Sequence, residues 1–477
     1  MIDSMDLDHI PEFAVLGHPN EGKSSVVSTL TEDDQIRVSQ VPGETQVSRT
    51  YTVTMDGKKI IRFVDTPGFQ VPRQTLAWFR EYLGDPEKIL DQFIETFQTN
   101  SFFADECELL APVARGAGII YVVNGSRPVR DDDIAEMEIL RLTGRPRMAI
   151  INSKTREKDY TREWKQEFRK YFNSIRVFNS NTANFKDRIL MLESLKSIDQ
   201  EWEEALSKVI RVFKGEWQKR NCLVSAHITH ALEKSLVFSV SEKVSKGSDQ
   251  VNVRGKLNQS YQKGVRRIEK KMFGQIKDLF KHNLYEYPLP DYSVLQHDLF
   301  SKKTWELLGL TQKQLAAAGA VVGGTMGAVI DTAAAGLTFG VFTALGGILG
   351  AGSALMGGKK MAQKTKYGFA LGGDRLQVGP NENPQFLYIL IDRALIYYAH
   401  IINRAHGRRD MDHGREDKQN TSRKMGITTG FSKDQKDVCV HFFKSARGRA
   451  IVKGKNAMPE FALLMESLLE KIGSSDF

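Results

Sequence analysis

Residues 13–25 of this chain read Phe13-Ala14-Val15-Leu16-Gly17-His18-Pro19-Asn20-Glu21-Gly22-Lys23-Ser24-Ser25. A short apolar run leads into the pattern G-x-x-x-x-G-K-S, which is typical of a phosphate-binding P-loop. Gly17 and Gly22 let successive backbone N–H groups turn towards phosphate oxygens, Lys23 reaches the β- and γ-phosphates, and Ser24 offers a hydroxyl to Mg²⁺. A helix predicted from Ser24 to Leu30 adds the positive end of its dipole. The alternative is a turn that matches by chance, but the motifs downstream favour a nucleotide site at Gly17, His18, Pro19, Asn20, Glu21, Gly22, Lys23, Ser24 and Ser25.

The composition is that of a globular protein with several domains. The chain has 477 residues, 41% of them hydrophobic, and a formal net charge of +9. This modest positive excess is compatible with an anionic membrane, with nucleic acid or with a solvated basic face. Three widely spaced cysteines, Cys107, Cys222 and Cys439, indicate neither a disulfide framework nor a zinc site. The acidic first eight residues lack the features of a secretory signal, so we expect a cytoplasmic protein.

A second motif, Asp65-Thr66-Pro67-Gly68, follows two predicted strands at residues 50–55 and 59–64. A carboxylate at the end of an apolar strand is where a P-loop NTPase holds Mg²⁺, usually through water. The glycine beyond it lets a backbone N–H approach the γ-phosphate. The two motifs together predict a GTPase.

A mobile threonine is expected between these motifs, since such a residue closes over Mg²⁺ and the γ-phosphate and is released after hydrolysis. Thr45 is the candidate because it follows Pro42-Gly43 in the polar segment 40–46. Thr50 and Thr52 are nearby alternatives, although Thr52 is predicted to lie in a strand. The predicted metal ligands are therefore Ser24, Thr45 and Asp65.

The residue after Gly68 is Phe69, where the Ras-type pattern has a glutamine that orients water. The P-loop sequence resembles those of Era and TrmE-like GTPases, some of which use an asparagine to hold a potassium ion beside the phosphates. That resemblance implies potassium-stimulated hydrolysis through Asn20, and local loop hydrogen bonding is the alternative role of this side chain. The predicted catalytic set is Lys23, Asn20, Thr45 and Gly68.

The remaining N-terminal pattern predicts a doubly wound α/β sheet. Residues 70–116 indicate a helical elaboration, residues 118–123 and 148–151 are apolar strands, and residues 132–140 form a helix. Guanine-specific proteins carry N-K-x-D after the last of these strands. Here Asn152-Ser153-Lys154 provides Asn152 and Lys154 as base-side residues without a carboxylate at the proper spacing, so guanine or adenine selectivity stays open.

The C-terminal half has two distinctive segments. Residues 199–282 show apolar side chains at helical spacing, with a basic run at 263–271 that suits phosphates, lipid headgroups or solvent. Residues 315–358 carry a single charge, Asp331, and several glycines at four-residue spacing, which allows close helix packing. We expect a glycine-rich hydrophobic hairpin, either inserted in a membrane or buried in a soluble domain. Residues 386–398 are predicted to form a core helix.

Residues 136–149, the asparagine beyond them and the glycine-rich segment look like a bacterial family with an Era-like GTPase domain and a C-terminal domain of unknown function. The resemblance covers most of the chain and implies binding of GTP and GDP. The predicted domains are an Era-like GTPase domain at 1–198, a helical bundle at 199–304, the hydrophobic hairpin at 305–366 and a basic helical domain at 367–477.

These inferences predict a GTP-hydrolysing switch that couples nucleotide state to a helical module at the cytoplasmic membrane. A lipid surface would be contacted through residues 315–358. One alternative is a soluble GTPase that regulates docking to ribosome, RNA or protein, and another is an NTPase with relaxed base selectivity. The sequence leaves the oligomeric state open.

Overall fold

The computed structural model describes residues 10–31, 47–55, 58–152, 159–180, 183, 185–244, 249–280, 289, 293–311, 314–315, 374–402, 426–448 and 457–474. Thr45, Lys154 and the predicted hairpin beyond Leu315 lie outside these residues. The chain divides into two compact units, Met1–Gln218 with Ile402–Asp412 and Lys219–Ile401 with His413–Phe477. The predicted four-domain division stays a prediction.

The first unit is built on a six-stranded sheet, which confirms the predicted doubly wound α/β fold. Its order is β2-β3-β1-β4-β5-β6, with the edge strand β2 antiparallel to β3 and every other neighbouring pair parallel. The continuous apolar runs of the central strands are buried on both faces, as parallel strands between helices must be. The strands are β1 (Glu12–Leu16), β2 (Arg49–Met55), β3 (Lys58–Asp65), β4 (Gly118–Asn124), β5 (Arg147–Asn152) and β6 (Ser174–Phe178).

Helices cover both faces of this sheet. One apolar layer includes α1 (Lys23–Thr31), α7 (Phe185–Lys196) and the first turns of α8 (Glu203–Val237). The opposite layer is formed by α2 (Pro72–Glu81), α3 (Ile89–Phe97), α4 (Ala104–Ala114), α5 (Asp131–Leu142) and α6 (Thr161–Phe168).

Helices α2, α3 and α4 are the predicted elaboration of residues 70–116. Aromatic side chains hold it together: the Trp78 ring stacks on Tyr82 at 5.3 Å and meets Phe93 edge-on at 5.2 Å between ring centroids. Such contacts add to the burial of large apolar surfaces. The elaboration is thus a packed extension of the sheet's helical layer.

The second unit is mostly helical. It contains the end of α8, then β7 (Val240–Val244), α9 (Gln250–Leu279), α10 (Lys302–Leu307), β8 (Asp374–Val378), α11 (Gln385–Ile402), α12 (Lys433–Ala446) and α13 (Ala457–Ser474). The prediction of helix throughout 199–282 was wrong at β7, which pairs antiparallel with β8. A short segment becomes a strand when a distant partner offers backbone hydrogen bonds, and local periodicity does not report that partner.

Helix α11 is the predicted core helix of residues 386–398. Within the described ranges it is the one helix long and apolar enough to cross a membrane, and 78% of it is buried inside the protein. Phe386, Ile389 and Leu395 are fully buried. It therefore serves as the apolar core of the second unit.

Two charged residues on α11 are buried with satisfied partners. Asp392 accepts hydrogen bonds from the backbone N–H groups of Gly309 at 2.7 Å and Thr428 at 2.8 Å. Arg393 binds Glu269 of α9, with Nε 2.6 Å and Nη2 3.1 Å from the carboxylate oxygens. Buried charges are tolerated when they are paired in this way.

We expect Arg393→Met to lower the free energy of unfolding of the second unit by about 3–5 kcal/mol, because Glu269 would stay buried without its partner. Urea unfolding followed by hydrogen exchange of α9 and α11 peptides measures this. The control is Arg266→Met, which breaks a half-exposed pair with Asp298 and should cost about 1 kcal/mol or less. Equal losses of unfolding free energy in the two variants would contradict a larger cost of breaking the buried pair.

Candidate nucleotide-binding site

The loop between β1 and α1 has a backbone that only glycine allows at two positions. Gly17 has φ +140° and Gly22 has φ +93°. A Cβ atom would come within 2.3 Å of the Val122 carbonyl oxygen at Gly17 and within 2.2 Å of Asn152 Nδ2 at Gly22. Asn20 is also left-handed, with φ +67°, a conformation that asparagine tolerates better than most residues. The loop before α1 therefore has the backbone geometry that a phosphate cradle requires, at a helix start where backbone N–H groups attract anions.

Lys23 is buried at the start of α1, with 7% of its surface exposed. Its Nζ donates hydrogen bonds to the carbonyl oxygens of Gly17 at 3.1 Å and His18 at 3.0 Å. Burial lowers the pKa of this ammonium, and the nearby Asp65 carboxylate opposes the shift. The positive charge thus lies against the loop that a phosphate would enter.

Ser24 and Asp65, two of the predicted metal ligands, lie together. The Ser24 hydroxyl donates to Asp65 Oδ2 at 2.6 Å, because α1 follows β1 and Asp65 ends the neighbouring parallel strand β3. A hydroxyl and a carboxylate are the hard oxygen donors that Mg²⁺ binds alongside nucleotide phosphates. The donor set of these residues therefore fits Mg²⁺.

The segment after β3 packs directly on the P-loop. A Cβ atom at Gly68 would lie 2.4 Å from the backbone nitrogen of Pro19, so the two loops are in close contact. Thr66 Oγ1 donates to the Val15 carbonyl oxygen at 2.8 Å. Phe69 is fully buried in the apolar core, whereas the following Gln70 is exposed. The side chain after Gly68 thus serves packing rather than water orientation.

Helix α4 contacts the segments on both sides of the phosphate loops. Glu106 Oε1 accepts from the backbone N–H groups of Gln70 at 2.7 Å and Val71 at 2.6 Å. Glu108 Oε1 accepts from the backbone N–H of Ser48 at 2.9 Å. Neither glutamate could be recognised from the sequence, because these contacts between separate elements carry no local motif.

Asn152 joins the P-loop to the turn after β6. Its Nδ2 donates to the Glu21 carbonyl oxygen at 3.2 Å, and its Oδ1 accepts from Ser180 N at 3.3 Å and Ser180 Oγ at 3.1 Å. The side chain is thus beside the loop where the sequence predicts the nucleotide. Ser180 lies in the turn that follows β6, and Asn152 connects this turn to the P-loop.

Glu21 anchors the loop through a buried ion pair. Its carboxylate accepts from Arg127 Nε at 2.7 Å and also from the backbone N–H of Asn124. Arg127 makes two further bonds to Asp133, at 2.6 and 2.7 Å, and its guanidinium lies 5.1 Å from the centroid of the Trp164 ring. A bidentate arginine–carboxylate pair of this kind stabilises the contact and also fixes the orientation of the groups that it joins.

His18 anchors the loop through a second buried carboxylate, Glu136 of α5. His18 Nδ1 lies 3.0 Å from Glu136 Oε1, and the Tyr121 hydroxyl donates to Oε2 at 2.8 Å. Burial raises the pKa of Glu136 to about 7, opposed by the hydrogen bond with His18. The same hydrogen bond raises the pKa of His18. Both groups therefore hold protons more tightly in the folded protein.

Because the two pKa values are raised by folding, the pair's contribution to stability falls as pH rises from 5 to 8. We expect Glu136→Gln to flatten this part of the pH dependence of the free energy of unfolding, measured by urea titration. Glu138→Gln on the same helix is the control. Arg141 lowers the pKa of Glu138, so its contribution changes only below about pH 4.5. Parallel curves for the wild type and Glu136→Gln would contradict the proton linkage.

Two family models match the chain. Residues 12–153 match "50S ribosome-binding GTPase", and residues 165–463 match "Domain of unknown function (DUF3482)". The first match confirms the predicted GTPase domain. The Era and TrmE-like resemblance stays a prediction.

Named relatives agree with the N-terminal match over short spans. GTPase Der of Agathobacter rectalis is 29% identical over 135 residues, covering 27% of this chain and 30% of that protein. The probable GTP-binding protein EngB of Buchnera aphidicola is 38% identical over 69 residues, covering 14% and 32%. The chain thus spans about a third of the length of these relatives. An S. thermophilus NFeoB mutant bound to GMPPNP has 14% identity and a TM-score of 0.24, covering 57% of this chain and 90% of that one, a likeness too low to carry an argument.

The second family model extends over more than half of the chain, and the first covers strands β1 to β5 of the sheet that carries the P-loop. The protein therefore belongs to the DUF3482 family, with an N-terminal GTPase domain preceding the domain of unknown function.

Proposed function

We propose that the protein is a GTP-binding and GTP-hydrolysing switch whose nucleotide state acts on its helical C-terminal region. The observation that carries the proposal is the glycine cradle of residues 17–24 with Lys23 buried against it. The Asp65-Thr66-Pro67-Gly68 segment packs on the same loop, so the groups that bind phosphate and the groups that respond to it are in contact.

In this function Lys23 neutralises charge on the β- and γ-phosphates, and the backbone N–H of Gly68 approaches the γ-phosphate. Ser24 and Asp65 would hold Mg²⁺, with Thr45 as a further ligand. When bound, Mg²⁺ neutralises charge that develops on the phosphates. Asn152 supports the P-loop. Asn152 and Lys154 remain the base-side candidates from the sequence.

We expect Lys23→Ala to lower kcat/KM for GTP hydrolysis by about a hundredfold or more, since one positioned charge at the transferring phosphate is lost. Phosphate release by the full-length protein measures this. Lys88→Ala changes an exposed lysine outside the site and is the matched control. Unchanged turnover in Lys23→Ala would show that the P-loop does not take part in the reaction. Tighter binding of ATP than of GTP would favour the relaxed-base alternative.

The same assay in potassium and sodium chloride tests the role proposed for Asn20. Asn20 is exposed and left-handed, so Asn20→Gly removes the side-chain oxygen without straining the backbone. Potassium should stimulate the wild type and have less effect on Asn20→Gly. Equal turnover in the two salts would rule out this role.

The proposed site of action is the cytoplasmic membrane, reached through residues 315–358. The support is their composition, with one charge in a glycine-rich apolar run between lysines. A membrane location suits a reversible switch, because a change in nucleotide state can then change what the helical region presents to lipid.

Docking to RNA or the ribosome is a second candidate, favoured by an exposed basic face on α9. Successive positions at helical spacing share this face, and none of them forms an ion pair with another described residue. Unpaired positive charge along one face suits a phosphate backbone. The face consists of Lys256, Lys263, Arg267, Lys270 and Lys271.

We expect full-length protein to sediment with anionic vesicles, to an extent that differs among the GTP-bound, GDP-bound and nucleotide-free states. Binding to a short RNA at increasing salt is measured in parallel. Combined substitution of Lys263, Arg267 and Lys270 by alanine should flatten the salt dependence if RNA is the partner. Protein that stays in the supernatant in every state while binding RNA would replace the first candidate with the second.

A further inference from the structure

Two glutamates of α4 hold the segments that flank the phosphate site. Glu106 is fully buried and accepts two backbone N–H groups, those of Gln70 and Val71. These residues follow Gly68 closely, so the backbone that approaches the γ-phosphate is fixed from the side of α4. Burial raises the pKa of Glu106, and the two N–H bonds oppose the shift.

The second glutamate, Glu108, contacts the other flank. Its Oε1 accepts the backbone N–H of Ser48 at 2.9 Å, and its own carbonyl oxygen accepts from Ser48 Oγ at 3.2 Å. Ser48 lies just before β2 and just after the segment 40–46 that carries the predicted switch residue Thr45. One turn of α4 therefore reaches both flanks of the site.

Helix α4 itself is fixed by the core. Leu109, Leu110 and Val113 are fully buried in the apolar layer formed with α2 and α3. A helix held in this way keeps the two carboxylates at a constant separation. The backbone at Ser48 and the backbone at Gln70 and Val71 are therefore held in fixed positions relative to each other.

We propose that Glu106 and Glu108 are positioning residues for GTP hydrolysis, which fix the backbone of Ser48 and the backbone of Gln70 and Val71 to one rigid helix beside the phosphate loops. This inference rests on the proposed function. Transition-state stabilisation requires donors that are already in place. Capping of the first turn of α2 would explain Glu106 alone, but it does not explain the paired contacts of Glu108 with Ser48.

The test compares Glu106→Ala and Glu108→Ala with Glu106→Gln and Glu108→Gln in the full-length protein. Each alanine variant should lower kcat for GTP hydrolysis about tenfold, the loss expected for one charge-assisted hydrogen bond. The GDP dissociation constant should stay within about twofold, because the P-loop contacts are unchanged. The glutamine variants keep an acceptor oxygen and should recover most of kcat. Glu95→Ala, an exposed glutamate on α3, is the control.

The double alanine variant separates positioning from general stability. Residues that act through one support should together lower kcat by less than the product of the single effects. Independent effects, an unchanged kcat in Glu108→Ala, or losses that follow the melting temperature and GDP affinity would overturn the proposal. If Glu106→Ala does not fold, Glu108→Ala with its glutamine counterpart decides the question. Absence of GTP hydrolysis by the wild type would instead overturn the proposed function.

Discussion

The nucleotide site depends on a fixed backbone conformation of the P-loop. A loop with left-handed glycines has little regular structure of its own, so contacts from other elements must stabilise that conformation. Three buried side-chain contacts perform this task. Glu21 binds Arg127, His18 binds Glu136, and Asn152 donates to the Glu21 carbonyl oxygen. They come from the loop after β4, from α5 and from β5, so the sheet and its helical layer together determine the loop conformation. A change in any of these elements would therefore alter the conformation of the P-loop.

The sequence predicted those features of the first unit that arise from local chemistry. Residues 118–123 and 148–151 were predicted as strands, and the structure has Gly118–Asn124 and Arg147–Asn152. Buried parallel strands are short continuous apolar runs, and their length and flanking turn residues separate them from buried helices such as α11. Lys23, Ser24 and Asp65 were also predicted from local pattern, because phosphate and Mg²⁺ binding require fixed residue types at fixed spacing, and the structure places Ser24 against Asp65.

Features that depend on contacts between distant segments could not be predicted in this way. Arg127, Glu136 and Glu106 are ordinary charged residues in the sequence, and their roles follow from partners on other elements. Strand β7 exists because β8 pairs with it. In the second unit, the buried Asp392 of α11 gave the same difficulty, since its partners Gly309 and Thr428 lie far along the chain.

The aromatic packing of α2 has a practical consequence for observing this protein at work. Trp78 lies on the first helix after Gly68, stacked on Tyr82 and edge-on to Phe79, Phe93 and Phe97. Indole emission responds to the distance and orientation of neighbouring rings. Helix α2 begins directly after Val71, whose backbone N–H donates to Glu106. Trp78 is therefore an intrinsic fluorophore on the helix that follows Gly68, and a stopped-flow instrument can follow its emission without any attached dye.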